Sequence, residues 1–367
     1  MTSLDEIKQL LLNKKETEIL KLYNKSKKKT REFLIEIAKN DSEWKFRRDA
    51  VKALGKAEDA ESLQLMSDIL LKDHLTVMRK TAAKAMGTIG DPKAIDPLLE
   101  ALKTCKDPAV IAEVASALGS LKAELAIEPL INLLSKHDDG EIREHAAEAL
   151  GNIGNPLAIE ALLLSMKNDK EDWVRGRAVE ALGLIGDPRV VPNLLESLEK
   201  DRGIGLAAKI VTALGRLKDS AAVEPLITIL EKEENPEIRR AIAYALGEIG
   251  DKKAADIFLE LLEKDEDDSV RYWACLSLGF MNFKKAANII INVLENDESV
   301  RVRRTAAVAI GQLAPKNKKI LSTLLKASQE DEDEEVREKS KATIMRIATA
   351  HGFASEQEFL KDLGIEQ

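Results

Sequence analysis

Aromatic residues are scarce in this chain of 367 residues, where Phe, Trp and Tyr together make up 4%. There are only 2 cysteines, which excludes a disulfide framework and is typical of a reducing compartment. The 4 histidines have no metal-ligand spacing, so neither a metal site nor a cofactor is expected. No apolar run approaches the roughly 20 residues that span a bilayer, and the N-terminus has no signal-peptide pattern. These absences favour a cytoplasmic protein without membrane contact.

An excess of positive charge is also missing. The formal net charge is -8, which makes nucleic acid an unlikely partner because nucleic-acid-binding proteins usually present a basic face.

Motifs of catalysis are absent too. The sequence has no glycine-rich phosphate loop and no hydrolase elbow. Cys275 occupies a position that is small and apolar in other repeats, so a core location is expected. Cys105 falls in a predicted turn, where it could be accessible, but no base partner stands near it. No catalytic residue is therefore predicted, and a binding protein is a better interpretation than an enzyme.

What the chain does contain is a repeat. A glycine recurs every 32 residues, and a fixed period of this length indicates a helical solenoid. We predict an N-terminal helical cap over residues 1–41, a solenoid of helix pairs over 42–350 and a C-terminal cap helix over 351–367. The repeating glycines are Gly55, Gly87, Gly119, Gly151, Gly183, Gly215, Gly247, Gly279 and Gly311.

Each repeat is expected to hold two helices, A and B. In one copy the apolar spacing predicts helix B over residues 76–89. Gly90 then suits a left-handed C′ position, and Asp91 followed by Pro92 suits the start of the next helix A. The period glycine lies inside helix B, where glycine costs about 1 kcal/mol relative to alanine. Its regular return predicts a close backbone approach between neighbouring B helices.

An arginine stands eight residues before the period glycine in seven of nine repeats. An acidic or amide residue often lies four residues before that arginine, as Asp139 does. The arginines could form an internal hydrogen-bond ladder between adjacent repeats or an anion-binding row. The internal ladder is favoured because the spacing follows the scaffold. The seven are Arg47, Arg79, Arg143, Arg175, Arg239, Arg271 and Arg303.

The segment Val174–Pro188, with its Val-Arg-x-x-Ala-x-x-Ala-Leu-Gly-x-Ile-Gly-Asp-Pro pattern, resembles the HEAT repeat. It is most similar to the HEAT-like repeats of the phycobilin lyase family. The resemblance implies an all-α, right-handed α-α superhelix (an armadillo-like α solenoid) of about ten helix pairs. It also implies that the B helices line the concave side.

Outward positions of helix B lie seven, six and three residues before the period glycine and one after it. They give two unusual surfaces. The first, here named the basic patch, comprises Arg48, Lys52, Lys56, Lys80 and Lys84. The second, the aromatic patch, comprises Tyr244, Tyr272, Trp273, Leu276, Phe280 and Val308. Exposed apolar patches and Tyr or Trp side chains are typical of binding surfaces.

Two structural alternatives would remove the aromatic patch from the surface. The C-terminal cap could cover it through Phe353 and Phe359. Asn282 and Phe283, which replace the usual Gly-Asp turn, could shift the register of the helix that carries it.

The leading functional hypothesis is a non-enzymatic scaffold or adaptor that holds a partner protein in the concave face. A chromophore (bilin) lyase-like subunit is the second hypothesis, because the aromatic patch could stack on a flat tetrapyrrole. A nucleic-acid-binding solenoid that uses the basic patch is the third.

Overall fold

The computed structural model describes residues 3–200 and 203–365, and the regular structure in these ranges is entirely helical. The predicted all-α fold class is confirmed. The chain divides into two compact units, Met1–Asp187 and Pro188–Gln367. In the described ranges, no helix combines the length and the apolar character needed to cross a bilayer.

The first unit begins with two helices that precede the regular pairs. Its α-helices are α1 Leu4–Leu12, α2 Glu16–Lys25, α3 Lys27–Asn40, α4 Trp44–Lys56, α5 Leu63–Lys72, α6 Thr76–Ile89, α7 Ile95–Thr104, α8 Pro108–Ser120, α9 Ile127–Lys136, α10 Gly140–Ile153, α11 Ile159–Asn168 and α12 Asp172–Ile185.

The second unit continues the same alternation and ends with one short helix. Its α-helices are α13 Val191–Lys200, α14 Ile204–Leu217, α15 Val223–Leu230, α16 Pro236–Ile249, α17 Ala255–Lys264, α18 Asp268–Phe280, α19 Ala287–Asn296, α20 Val300–Leu313, α21 Lys318–Glu330, α22 Glu334–Ala350 and α23 Glu356–Asp362.

Within each unit the even-numbered helices pack side by side as a layer of B helices, with the odd-numbered A helices as their partners. The transition predicted after helix B is confirmed at α6. Gly90 is left-handed with a φ of 73°, and the Asp91 side chain accepts a hydrogen bond from the Lys93 N–H at 2.9 Å. A 3-10 turn, Pro92–Ala94, comes before α7.

The close approach predicted at the period glycines is also confirmed. A Cβ placed on Gly119 would lie 2.6 Å from the Cα of Ala149 on the next B helix. A Cβ on Gly215 would lie 2.9 Å from the Cα of Ala245. Only a residue without a side chain lets these backbones pack so closely.

Among the described residues, four of the seven arginines form the internal ladder that the period favoured. Arg143, only 6% exposed, donates two hydrogen bonds of 2.8 Å to Asp169, the C-cap residue of the next A helix. Burial alone would raise the pKa of Asp169, but the hydrogen bonds from Arg143 and the Glu171 N–H outweigh it and lower that pKa. The same paired bonds join Arg239 to Asp265, Arg271 to Asp297 and Arg303 to Asp331.

Two details of this ladder differ from expectation. The side chain of Asp139, four residues before Arg143, caps α10 by accepting from the Glu141 N–H, and the Arg143 guanidinium donates to Asp169 instead. Cys105 stands where other repeats carry the aspartate that closes the ladder. It is buried, at 8% exposed, because it packs at the end of α7 where it accepts from the Asp107 N–H at 3.4 Å.

Candidate functional site

Three rings of the aromatic patch are in direct contact on the B-helix layer of the second unit. The Trp273 ring on α18 lies 4.8 Å from the Tyr244 ring on α16 and 5.0 Å from the Tyr272 ring, measured between centroids. Both pairs are edge-to-face, with interplanar angles of 63° and 76°, a favoured geometry for aromatic pairs. The three rings are half-buried, so each packs on a neighbour and keeps part of its surface open.

The remaining members of the aromatic patch continue along the same helices. Leu276 and Val308 are half-buried, and Phe280, at the C-terminal end of α18, is 70% exposed. An apolar ring exposed to this degree contributes little to the stability of the core beneath it. It is available for contact with another molecule.

The C-terminal segment does not shield this ring. Phe359 is fully buried against the stacked ring of His351, with centroids 5.9 Å apart, and it also contacts Phe353 at 5.1 Å. The cap aromatics therefore pack with each other, and the hypothesis that they cover Phe280 is wrong.

The register of α18 is likewise unchanged. Asn282 adopts a left-handed φ of 52°, so it takes over the conformation that glycine has in other repeats. Cys275 remains fully buried, and a Cβ on Gly279 would lie 3.0 Å from the Cβ of Ala309. The outward offsets of the aromatic patch are therefore those that the period predicts.

Beside the rings lies a hollow of about 450 Å³ that the sequence did not predict. We call it the aromatic hollow. Arg301 of α20 lines this hollow. Its guanidinium carbon lies 3.9 Å from the centroid of the Tyr272 ring, which is a cation–π contact. The polar and aromatic side chains that line the hollow are Glu237, Arg240, Tyr244, Ser269, Trp273 and Arg301.

Arg240 and Arg301 are functional candidates that sequence reasoning missed. Arg301 stands ten residues before Gly311, one helical turn ahead of the outward positions that were considered. Arg240 occupies an outward position, seven residues before Gly247. It was missed because it is charged, whereas the aromatic patch was selected for apolar and aromatic side chains. Extending the outward set by one turn would have found Arg301.

The basic patch lies in the first unit, on α4 and α6. Lys52, Lys56 and Lys84 line a second hollow of about 260 Å³. Lys56 forms an ion pair with Glu16, and Lys52 lies 3.8 Å from Asp49. These carboxylates reduce the positive charge that the hollow presents.

The other two members of the basic patch lie nearby. Arg48 pairs with Asp49 at 2.8 Å and lies over the Trp44 ring, and the half-buried Lys80 stands one turn before Lys84 on α6.

A larger hollow, about 590 Å³, lies between α9 and α11 of the first unit. Its buried ionic groups, Arg143 and Asp169, are hydrogen-bonded to each other as part of the ladder. Size alone therefore does not make it the better candidate site, because these groups already satisfy one another.

Metal binding has no structural support in residues 3–200 and 203–365, where no group of three or more His, Cys, Asp or Glu side chains could hold an ion.

Comparison with known families identifies the repeat. The model for HEAT repeats matches residues 31–119, 95–183, 127–208, 192–279 and 256–345. The chain belongs to the HEAT-repeat family. No curated protein matches it.

Solved HEAT-repeat structures share this fold. Importin-β crystallised in ammonium sulfate is 16% identical with a TM-score of 0.63, and the match covers 92% of this chain and 53% of that one. Yeast importin-β (Kap95p) is 14% identical with a TM-score of 0.63, and the match covers 99% of this chain and 55% of that one. This HEAT-repeat chain therefore spans about half the length of the importin-β chains that it matches.

The phycocyanin lyase complex of CpcE and CpcF from Nostoc is also similar. It is 20% identical over 65% of this chain and 94% of that chain, with a TM-score of 0.40. That score is too low to support any argument about shared chemistry.

Proposed function

We propose that this HEAT-repeat protein is a non-enzymatic scaffold that binds a partner protein through its aromatic patch. The observation that carries the proposal is the exposure of Phe280, at 70%, on α18, the helix whose Trp273 ring contacts the rings of Tyr244 and Tyr272. Exposing a phenylalanine to water is unfavourable, and burying it against a partner would release that free energy. Tyr and Trp are also enriched in the residues that dominate binding energy.

The family supports this proposal in general terms. Solved relatives with this fold include Kap95p bound to RanGDP and to Nup1. By analogy, we propose that the partner of this protein lies in the concave face formed by the B helices, in the cytoplasm. The basic patch would then steer a partner with an acidic surface.

The predicted divisions at residues 41 and 350 are part of the same proposal, with the caps closing the ends of the repeats.

The two other hypotheses have less support. A bilin lyase-like role rests on the resemblance of the repeats, and the described residues offer no catalytic constellation that would add to it. Nucleic-acid binding rests on the basic patch, where Glu16 and Asp49 already accompany two of the lysines.

The experiment is an affinity capture from the native cell extract, followed by binding measurements with the purified partner. Wild type is compared with a Tyr272→Ala, Trp273→Ala, Phe280→Ala variant. We expect the variant to lose the partner or to bind it at least about tenfold more weakly, because each truncated hot-spot side chain costs ~1–2 kcal/mol or more.

A matched control removes equally exposed leucines elsewhere. Leu125→Ala with Leu157→Ala truncates side chains that are 71% and 70% exposed in the first unit. This control should bind like wild type. If the variant and the control capture the same proteins with the same affinity, the aromatic patch is not the binding site.

A further inference from the structure

The arginines near the aromatic patch fall into two groups. Those of the ladder, such as Arg271, are buried and hydrogen-bonded to an aspartate of the next A helix. Arg304 is also satisfied, because it pairs with Asp333 and Glu335. Arg240 and Arg301 differ, since each keeps guanidinium N–H groups that have no partner among the described residues.

Two contacts hold the Arg301 side chain in place and leave some of its guanidinium N–H donors without a hydrogen bond to any described residue. Its guanidinium lies over the Tyr272 ring at 3.9 Å, and one terminal nitrogen, Nη1, donates to the Ser269 Oγ at 3.2 Å. These two contacts restrict the side chain and leave the other terminal nitrogen unpaired. A guanidinium fixed in this way loses little conformational entropy when it binds a carboxylate.

Arg240 faces the same hollow from α16. Its Nε donates to the Pro236 carbonyl at 3.2 Å and lies 3.7 Å from Asp267 Oδ1. That oxygen is already engaged, because it accepts from the Ser269 and Val270 N–H groups as the N-cap of α18. Among the described residues, Asp267 forms no hydrogen bond with the terminal nitrogens of Arg240.

We infer that the aromatic hollow binds a peptide segment of the partner in which an aspartate or glutamate adjoins an apolar side chain. The carboxylate would bind Arg240 and Arg301, and the apolar side chain would pack on Tyr244 and Trp273. The open guanidinium N–H groups of Arg240 and Arg301 and the aromatic wall of the hollow support this occupant. The inference rests on the proposed function and specifies the chemistry of its partner.

A polyanion fits the surroundings less well than a single carboxylate. Asp268 accepts a hydrogen bond from Ser269, which lines the hollow. Asp268 is ionised, because hydrogen bonds from Ser299 and Ser269 and the nearby charge of Arg301 lower its pKa despite burial. Glu237 lines the hollow, and Asp267 borders it. These carboxylates would repel the successive phosphates of a nucleic acid more strongly than a single carboxylate, because repulsion grows with the number of charges.

The test uses the whole chain of 367 residues and short fluorescent peptides. Each peptide carries one phenylalanine followed by glutamate, glutamine or lysine in an otherwise Gly/Ser sequence. Fluorescence anisotropy should show the glutamate peptide binding at least about tenfold more tightly than the glutamine peptide, as expected for charge-assisted bidentate hydrogen bonds. The preference should weaken as salt is raised.

An Arg240→Gln, Arg301→Gln variant should bind the glutamate and glutamine peptides equally. Lys232→Gln removes one positive charge from the exposed segment before α16 and should leave the preference intact. Arg301→Gln alone provides a second, milder variant and should reduce the preference by several-fold.

Several outcomes would overturn the inference. They are no saturable binding of any peptide, equal binding of all three, a preference for lysine, or a glutamate preference that survives in the double arginine variant. Tighter binding of oligouridylate than of the glutamate peptide would show that the hollow serves a nucleic acid instead.

The peptide-binding test and the capture experiment can fail independently of each other. A partner that depends on Tyr272, Trp273 and Phe280, with no glutamate preference among the peptides, would leave the scaffold function standing and refute the carboxylate site. A glutamate preference that requires Arg240 and Arg301, with unchanged capture by the aromatic variant, would leave the hollow standing and refute the proposed function.

Discussion

Gly119→Ala gives a sharp test of why glycine returns at a fixed period. The added Cβ would lie 2.6 Å from the Cα and 2.9 Å from the Cβ of Ala149, distances that real Cβ contacts do not reach. Because the obstacle is backbone, no side-chain rotation can relieve it. The helices α8 and α10 would have to separate, which would weaken the packing between two adjacent repeats.

The expected magnitude follows from two opposing effects. Alanine inside a helix is favoured over glycine by about 1 kcal/mol. Overpacking against a rigid neighbour costs ~1–3 kcal/mol, and the backbone contact at Gly119 belongs at the upper end of that range. We therefore expect the free energy of unfolding to fall by about 2 kcal/mol, the difference between these two effects.

Urea unfolding followed by far-UV circular dichroism measures this change as a lower midpoint at an unchanged slope. Gly205→Ala is the matched control, because beyond the adjoining backbone of its own helix no heavy atom lies within 4 Å of its added Cβ. This control should be neutral or stabilising by up to about 1 kcal/mol. If Gly119→Ala were as stable as wild type, close packing would not be the reason for the periodic glycine.

Two further predictions concern the ladder and the patch. Asp169→Asn should lower stability by about 2 kcal/mol at pH 7, since Arg143 loses charged hydrogen bonds. The folded-state pKa of Asp169 is lowered, so this stabilisation is complete above pH ~4 and is lost as the pH falls through the folded-state value. The deficit of the variant in urea midpoints should therefore shrink in acid, and a pH-independent deficit would contradict the ladder. Phe280→Ser should change stability by less than about 0.5 kcal/mol, whereas the fully buried Phe258→Ala should cost ~3–5 kcal/mol. Equal losses in thermal melts would mean that Phe280 is structural.

Much of the local structure could be predicted from sequence because it depends on near neighbours. The helix over residues 76–89, the left-handed Gly90 and the Asp91 cap are set by side chains within a few positions. Local sequence does not decide every helix boundary. The three successive lysines Lys27, Lys28 and Lys29 would repel one another in a helix, yet α3 begins at Lys27 and packs against α4.

The period by itself determined the helix pairs, the close glycine contacts and an arginine ladder internal to the scaffold, because every repeat must pack on the next with the same geometry. It could not name the ladder's partner, since Asp169 lies 26 residues after Arg143 and meets it only when two repeats stack. Only the tertiary structure showed that Phe280 is uncovered and that Arg301 lies on Tyr272 beside an open hollow. Exposure and unpaired hydrogen-bond donors depend on which side chains reach one another across neighbouring helices, and a one-dimensional period does not contain those distances.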